Sequence, residues 1–403
     1  MRSNVCIALA MTENNKSAYK DAILDVLGDP KFMLFLRNTN RIQYIEGDWE
    51  FNLAKKVIKG KTILQSTRPG KESIKNFIVK DGTTISIDEN AFASVGVDIK
   101  ITKVINPKTG KEESLFVDSN GQKIPSIPSR ISGSSSTCIS YAFSVGEGDV
   151  LLPIKSRHSM YAYLPMVETR FPFPIYINAD FILKSNRQGI QSDNVWNHYL
   201  MYNIGRSYPS WIAQIASKSQ PHYLSLLLDS FYDESDKDMT ELASFFNRGY
   251  SEAIKTEAFI LNDKEEIVCQ DSIVIDDTKL ASIIGVENFC HLTEQTERRL
   301  PHPQIDITIL DSEIFANITH VSSVSEYLND DKKKKYIRWW ITNADASKRL
   351  LAYEWLKKQN DSELVKLMPV FLFGKKFRSF AEVQDASQFL FLDSSLLAVK
   401  DIL

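Results

Sequence analysis

Residues 171–219, FPFPIYINADFILKSNRQGIQSDNVWNHYLMYNIGRSYPSWIAQIASKS, contain the pattern that decides the fold of this chain. The run 175–184 is mostly apolar and β-prone, which predicts a strand buried on at least one face. A polar turn, residues 185–187, follows it. Ser192 and Asp193 are able to cap a helix start. Apolar residues then recur at helical spacing: Val195, Trp196, Tyr199, Leu200 and Ile204. The segment therefore predicts a strand, a polar turn and a helix.

The helical pattern meets Tyr208-Pro209 before it ends. Proline is tolerated in the first turn of a helix but not in its interior. We therefore expect the helix to break here and a second helix to start, with an apolar side formed by Trp211, Ile212, Ile215 and Ala216.

Arg187 and Gln191 are the candidate binding residues of this turn. They are four positions apart, so both side chains would project from one face if the turn wound directly into a helix. A planar guanidinium beside an amide donor suits a phosphate group. The alternative is that Arg187 pairs with a carboxylate such as Asp180 and only fixes the loop, which is the commoner role of an arginine in a loop. For the binding role, we expect the Arg187 side chain to face outward from a rigid strand-to-helix junction.

The run 172–200 resembles the signature of sacsin-like proteins, a branch of the GHKL ATPases related to the ninety-kilodalton heat-shock chaperones. In that branch a phrase of this kind ends a β-rich middle domain that follows an ATP-binding domain. The matching residues are Pro172 to Pro174, Asn178, Phe181, Leu183, Arg187, Trp196 and Asn197. The resemblance therefore implies a middle domain here and a client-binding or partner-binding region after it.

The resemblance also implies a role for the turn. In the chaperones, a middle-domain loop with arginine, three residues and glutamine reaches the terminal phosphate of ATP held by the preceding domain. Arg187 and Gln191 fit that pattern, with Gln188 where the chaperones usually carry glutamate. The ATP-binding motifs of GHKL proteins are not found in order in this sequence, and its one G-x-G, residues 146–148, is weak evidence for a nucleotide site. We therefore expect no cofactor on this chain, and ATP with Mg only on an upstream or separate domain.

Composition and charge limit the other classes. The 403 residues are 43% hydrophobic and suffice for two or three domains, and the net charge of −3 argues against bulk nucleic acid as the main partner. The cysteines, Cys6, Cys138, Cys269 and Cys290, lack the spacing of a zinc or redox site, and the six histidines are scattered. No apolar run approaches a membrane span. These features predict a cytoplasmic protein without metal or membrane partners.

We predict an α+β fold. Residues 1–219 contain β-prone runs at 51–66, 74–79, 83–87, 97–104, 114–117, 138–145 and 160–164. Turn composition at Pro69-Gly70, Asp81-Gly82 and residues 107–110 predicts an antiparallel meander, with a hairpin turn at Asp81-Gly82. The Ser-, Pro- and Gly-rich residues 119–136 predict a surface loop, an insertion rather than a lid.

Residues 220–403 predict a helical and mixed region. The apolar segments 223–232 and 239–254 predict an antiparallel helix pair. Segments 258–285 and 369–397 resemble two loose copies of one small αβ unit.

The run Lys332 to Lys335, followed by Tyr336, Trp339 and Trp340, has cations and aromatics of the kind that bind single strands. A helix with lysines outside and tryptophans inside is the commoner arrangement, so we expect nucleic acid not to be a partner.

Two functional classes follow. The chain is either the middle and C-terminal portion of a sacsin-like ATPase, with Arg187 sensing phosphate, or a non-enzymatic interaction module in which Arg187 is structural.

Overall fold

The computed structural model describes residues 12–46, 49–124, 127, 131, 133–156, 158–169, 171–235, 239–292, 297–322, 331–358, 371–373 and 376–378. Contacts divide the chain into two compact units. The first comprises Met1–Gln270 and His302–Ala316, and the second comprises Asp271–Pro301 and Asn317–Leu403. The division predicted after residue 219 falls inside the first unit and stays a prediction about domain organisation.

The first unit is built on a large sheet. The strands of this unit are β1 Arg41–Glu46, β2 Trp49–Ile58, β3 Lys61–Arg68, β4 Lys71–Ser86, β5 Lys100–Ile105, β6 Glu112–Val117, β7 Ser136–Val145, β8 Leu151–Leu152, β9 Met160–Ala162, β10 Leu164–Pro165, β11 Tyr176–Asn178, β12 Ile260–Leu261 and β13 Ile267–Val268. The strand order is β1-β2-β3-β4-β7-β11-β9-β10, with β8 on β7, while β5–β6 and β12–β13 form separate pairs. All neighbours in the large sheet are antiparallel except β11 and β9.

The helices of the first unit are α1 Glu13–Gly28, α2 Glu89–Ser94, α3 Val195–Ala213 and α4 Thr240–Thr256. Short 3-10 helices lie at Pro30–Met33, Glu147–Asp149, Tyr223–Leu226, Ile307–Asp311 and Glu313–Phe315. Together with the mixed sheet they confirm the predicted α+β class.

Two of the predicted turns are hairpin turns. Gly70 (φ +72°) joins β3 to β4, and Gly110 (φ +67°) lies between β5 and β6. The predicted β-prone run 51–66 forms two strands, because Lys59 and Gly60 both adopt positive φ and turn the chain from β2 into β3.

The hairpin predicted at Asp81-Gly82 was also wrong. Both residues lie inside β4, where the register against β7 shifts between Asp81 and Thr84. A Cβ on Gly82 would lie 2.7 Å from the Ile139 carbonyl oxygen and 2.8 Å from the Tyr141 ring. Glycine is therefore needed for the close approach of two strands at an irregularity rather than for a tight turn.

The predicted helix break at Tyr208-Pro209 was wrong, since α3 continues through Pro209 to Ala213. Tyr208 and Trp211 are buried, and the Trp211 indole N–H donates to Thr83 Oγ1 at 2.9 Å. An interior proline costs about 3 kcal/mol. Burial of large aromatic side chains on the same turn of helix offsets that cost.

The predicted helix pair 223–232 and 239–254 was wrong in its first member. Only Tyr223–Leu226 is helical, as a 3-10 helix, and the chain then runs irregularly with Leu227 and Leu228 buried. The helix partner of α4 is α3. Gly205 and Gly249 lie at their contact, where a Cβ on Gly205 would overlap the Phe246 carbonyl oxygen.

The second unit contains β14 Val274–Asp276 paired in parallel with β15 Thr319–Val321, and a separate antiparallel pair of β16 Phe371–Phe373 and β17 Lys376–Arg378. Its helices are α5 Ala281–Ile284, α6 Val286–Leu292, α7 Asp331–Asn343 and α8 Ala346–Lys358. Their shared core includes Val274, Phe289, Ile337, Trp340 and Trp355.

The expectation that both tryptophans of α7 lie inside was wrong for one of them. Trp340 is 8% exposed, whereas Trp339 is 57% exposed. Adjacent residues of a helix point about 100° apart, and α7 buries the side that carries Ile337, Trp340 and Ile341, so Trp339 points away from this core.

The small unit predicted at 258–285 has its strand pair, β12 and β13, in the first compact unit and its short helix, α5, in the second. Of the second copy, 369–397, only β16 and β17 are described, and the remainder lies outside the described residues. The repeat therefore stays a prediction.

Candidate functional site

The turn that carries Arg187 is the tip of a small hairpin. Leu183 and Ile190 form an antiparallel bridge, and the Lys184 N–H donates to the Gly189 carbonyl at 2.9 Å. At the tip, the Arg187 N–H donates to the Lys184 carbonyl at 2.8 Å, and Arg187 itself has φ +58°. A side chain in this left-handed conformation is uncommon outside glycine and asparagine. The backbone therefore holds Arg187 in a conformation that costs energy and that the surrounding contacts maintain.

One side of the hairpin is fixed to the segment before β11. The Glu168 N–H donates to the Gln188 carbonyl at 2.9 Å, and the Asn186 side-chain amide donates to Glu168 Oε1 at 2.9 Å. The Ile190 N–H donates to the buried Thr169 Oγ1 at 3.2 Å. These bonds hold the hairpin along its length.

The base of the hairpin is fixed by the first turn of α3. Asn197, which is fully buried, accepts from the Ile182 N–H and donates to the carbonyls of Ile182 and Gln191, all at 2.8 Å. Its neighbour Trp196 donates its indole N–H to the Asp180 carbonyl at 2.9 Å. The Trp-Asn pair of the sequence motif therefore attaches the helix to both ends of the hairpin.

The Arg187 side chain is exposed. It makes no hydrogen bond, ion pair or ring contact with any residue in the described part of the chain. The structural alternative, a pair with Asp180, is absent there: Asp180 is buried and accepts from the Thr137 hydroxyl at 2.6 Å and the Tyr163 hydroxyl at 3.2 Å. The guanidinium is thus open to an external group, and the hairpin beneath it is braced on two sides.

Gln191 is placed differently from the sequence expectation. The turn does not wind directly into a helix, because the Gln191 N–H donates to the Ile182 carbonyl at 3.0 Å and closes the hairpin base. Helix α3 begins only at Val195, with Asn194 as its N-cap accepting from the Trp196 N–H. Ser192 and Asp193 therefore precede the cap, and Arg187 and Gln191 do not share a helical face. The Gln191 side chain is half-buried.

An exposed guanidinium on a braced tip can donate two parallel hydrogen bonds to a phosphate or carboxylate. Lys184 is a second exposed cation on the same hairpin. The hydrogen bonds of Glu168 and Thr169 to the hairpin could not be predicted from the sequence pattern, because they join segments about twenty residues apart.

Within the ranges that the structure describes, no group of His, Cys, Asp and Glu side chains is arranged to hold a metal ion. In the same ranges, no helix has the length and apolar character needed to cross a membrane. Cys138, Cys269 and Cys290 form no disulfide with one another.

No protein-family model, curated protein or solved structure matches this chain.

Proposed function

We propose that this chain is the middle and C-terminal portion of a sacsin-like GHKL ATPase. In this proposal Arg187 contacts the terminal phosphate of ATP, which is held with Mg by an upstream or separate ATP-binding domain. The rest of the chain presents a surface to a protein client or partner. The proposal includes a cytoplasmic location.

The observation that carries the proposal is the exposed Arg187 guanidinium on a hairpin tip that is braced on two sides. The braced hairpin fixes the backbone from which the guanidinium projects, so the backbone loses little conformational entropy when a phosphate arrives. In comparable sites, a preorganised cation that meets developing negative charge contributes several kcal/mol to the transition state. A loop arginine with only a structural role would be expected to hold a partner within its own chain.

The motif residues support the same proposal. Trp196 and Asn197 bond to the backbone on both sides of the hairpin. The resemblance in sequence therefore includes the residues that position the arginine as well as the arginine itself. Gln191 remains a second candidate for contact with the phosphate, since its half-buried side chain lies at the base of the same hairpin.

The test is ATP turnover in the presence of the GHKL domain. We would combine the full chain with a purified GHKL ATP-binding domain and compare the unaltered protein with Arg187→Ala. We expect the variant to lower turnover at least about a hundredfold. Arg187→Lys should restore only part of the rate, because an ammonium lacks the planar fork.

Lys184→Ala is the matched control. It removes one positive charge from an exposed position of the same hairpin, and its turnover should stay within about threefold of the unaltered protein, the effect of a screened surface charge. A turnover that Arg187→Ala leaves unchanged would contradict the proposal and favour the non-enzymatic interaction module.

A further inference from the structure

One face of α7 in the second unit is cationic and aromatic. Lys332, Lys335, Tyr336 and Trp339 stand at positions i, i+3, i+4 and i+7 and therefore follow one side of the helix. Lys332 and Lys335 are exposed, and 57% of the Trp339 surface is open. We name this set the α7 face.

The rings of the α7 face are held in place by α6. The Tyr336 hydroxyl donates to Asn288 Oδ1 at 2.6 Å, and the Asn288 amide donates to the Ile284 carbonyl at 2.6 Å. The exposed His291 ring lies 4.8 Å from the Tyr336 ring, whose other neighbour is Trp339 at 5.6 Å. The indole is therefore an exposed ring at the end of a fixed row of three.

The net charge of α7 is positive. The sequence of α7, DKKKKYIRWWITN, contains five cations and one acid, Asp331. On α6, Glu287 is paired with Arg299 at 2.9 Å, so its charge is compensated. A fixed aromatic ring beside uncompensated lysines is the combination that binds single strands, since bases stack on the ring and phosphates meet the ammonium groups.

A membrane surface fits the same face less well. Interfacial helices bury a wide apolar stripe. The exposed residues around Trp339 on α7 are Lys332, Lys335, Thr342 and Asn343, all of which are polar. One indole in a polar face offers stacking area but not the apolar area that insertion requires.

We propose that the α7 face binds single-stranded nucleic acid, with a base stacked on the Trp339 indole and phosphates contacted by Lys332 and Lys335. The site is independent of the Arg187 hairpin and of the function proposed for it. The net charge of −3 makes this contact local and salt-sensitive rather than a property of the whole surface.

The test is fluorescence anisotropy of a labelled single-stranded oligonucleotide of about 12 nucleotides, titrated with the full chain at about 50 and 200 mM salt. We expect Trp339→Ala to weaken affinity at least about fivefold, because one stacked base is lost. Trp339→Phe should retain most of the affinity. Lys332→Gln with Lys335→Gln should flatten the slope of log affinity against log salt by about 1.4, or about 0.7 for each phosphate contact on a single strand.

Lys108→Gln with Lys111→Gln is the matched charge control, because both lysines are exposed in the β5–β6 turn. This pair should leave affinity and salt slope unchanged. The proposal is overturned if the unaltered protein does not bind, if Trp339→Ala binds equally well, or if the control pair weakens binding as much as the α7 pair. Vesicles of phosphatidylcholine and phosphatidylserine form a parallel arm, and vesicle binding that requires Trp339 in the absence of oligonucleotide binding would overturn it in favour of a membrane surface.

Discussion

Asn197 is the side chain through which α3 positions the Arg187 hairpin. Its carboxamide satisfies one backbone donor and two backbone acceptors at a site fully closed to solvent. Buried backbone groups without partners are costly, so the hairpin base depends on an amide of this length at this position. Aspartate lacks the donors, and leucine lacks both kinds of group.

Asn197→Ala should lower the free energy of unfolding by about 2–4 kcal/mol, because the Ile182 N–H and the Gln191 carbonyl lose their partner and the Ile182 carbonyl keeps only the Gln191 N–H. Urea unfolding followed by circular dichroism measures the change. Asn203→Ala is the control on the same helix, since Asn203 is half-buried and donates to the carbonyl of Tyr199, four residues before it. It should cost less than about 1 kcal/mol. Equal losses for the two variants would show that Asn197 is not a special attachment of the hairpin.

The sequence was informative about Arg187 and its motif, and uninformative about the backbone around them. The order of residue types indicated a turn between a strand and a helix, and Trp196 and Asn197 stood out within it. The left-handed conformation of Arg187 and the bonds from Glu168 had no counterpart in the pattern, because φ and tertiary hydrogen bonds depend on what packs against the loop.

At the scale of elements, α3 and α4 pack with their backbones in close approach. A Cβ on Gly205 would overlap the Phe246 carbonyl oxygen and lie 2.8 Å from the Tyr250 nitrogen. A Cβ on Gly249 would overlap the Tyr202 carbonyl oxygen and lie 3.0 Å from the Arg206 nitrogen. The two glycines thus set the distance between the helices. These obstacles are backbone atoms, which cannot move aside as a flexible side chain can.

Gly205→Ala should therefore destabilise the protein by about 1–3 kcal/mol, the usual cost of overpacking a well-packed contact. Thermal unfolding followed at 222 nm measures it. Gly28→Ala is the matched control, because a Cβ on Gly28, the last residue of α1, meets no atom within 4 Å. That variant should be neutral or stabilising by up to about 1 kcal/mol, the helix propensity gained by alanine over glycine. A neutral Gly205→Ala would mean that α3 and α4 are farther apart than described.

Elements set by local chemistry were predictable, and those set by packing were not. Pro69-Gly70 and residues 107–110 form the expected turns because positive-φ glycine determines both. Asp81-Gly82 has equally good turn composition, yet it lies inside β4, because β7 pairs with this strand on both sides of the register shift, at residues 76–81 and 84–86. Residues 223–232 have helical periodicity, but only Tyr223–Leu226 is helical, as a 3-10 helix. The buried side chains of Leu227 and Leu228 follow it on an irregular stretch of backbone.

At the scale of the whole molecule, the α+β class followed from the mixture of β-prone and helical runs. The extent of the first compact unit could not be predicted from the sequence. His302–Ala316 belongs to this unit although the preceding 31 residues, Asp271–Pro301, belong to the second. No periodicity or composition marks such a return of the chain, because membership of a unit depends on contacts between distant segments.

The first unit also concentrates buried tyrosines, which predicts how the protein responds to alkaline pH. Burial raises the pKa of Tyr141 to about 12. Burial, with a smaller contribution from the Asp88 charge, raises the pKa of Tyr199 to about 12. Burial also raises the pKa values of Tyr208 and Tyr232 well above the usual 10.0. The pKa values of these tyrosines in the folded protein exceed those in the unfolded chain. Their contribution to the free energy of unfolding is therefore fully present below about pH 10 and is lost as pH rises toward 12.

Absorbance at 295 nm and circular dichroism, recorded together between about pH 9 and 13, measure this response. We expect a late step of tyrosinate formation that coincides with loss of helix signal, because these phenols ionise only as the unit opens. Tyr141→Phe should move that step to higher pH by removing one buried titrating group, at the cost of the bond from its hydroxyl to Gln214 at 3.0 Å. If all tyrosines ionised near pH 10 with the helix signal intact, the described core of the first unit would be wrong.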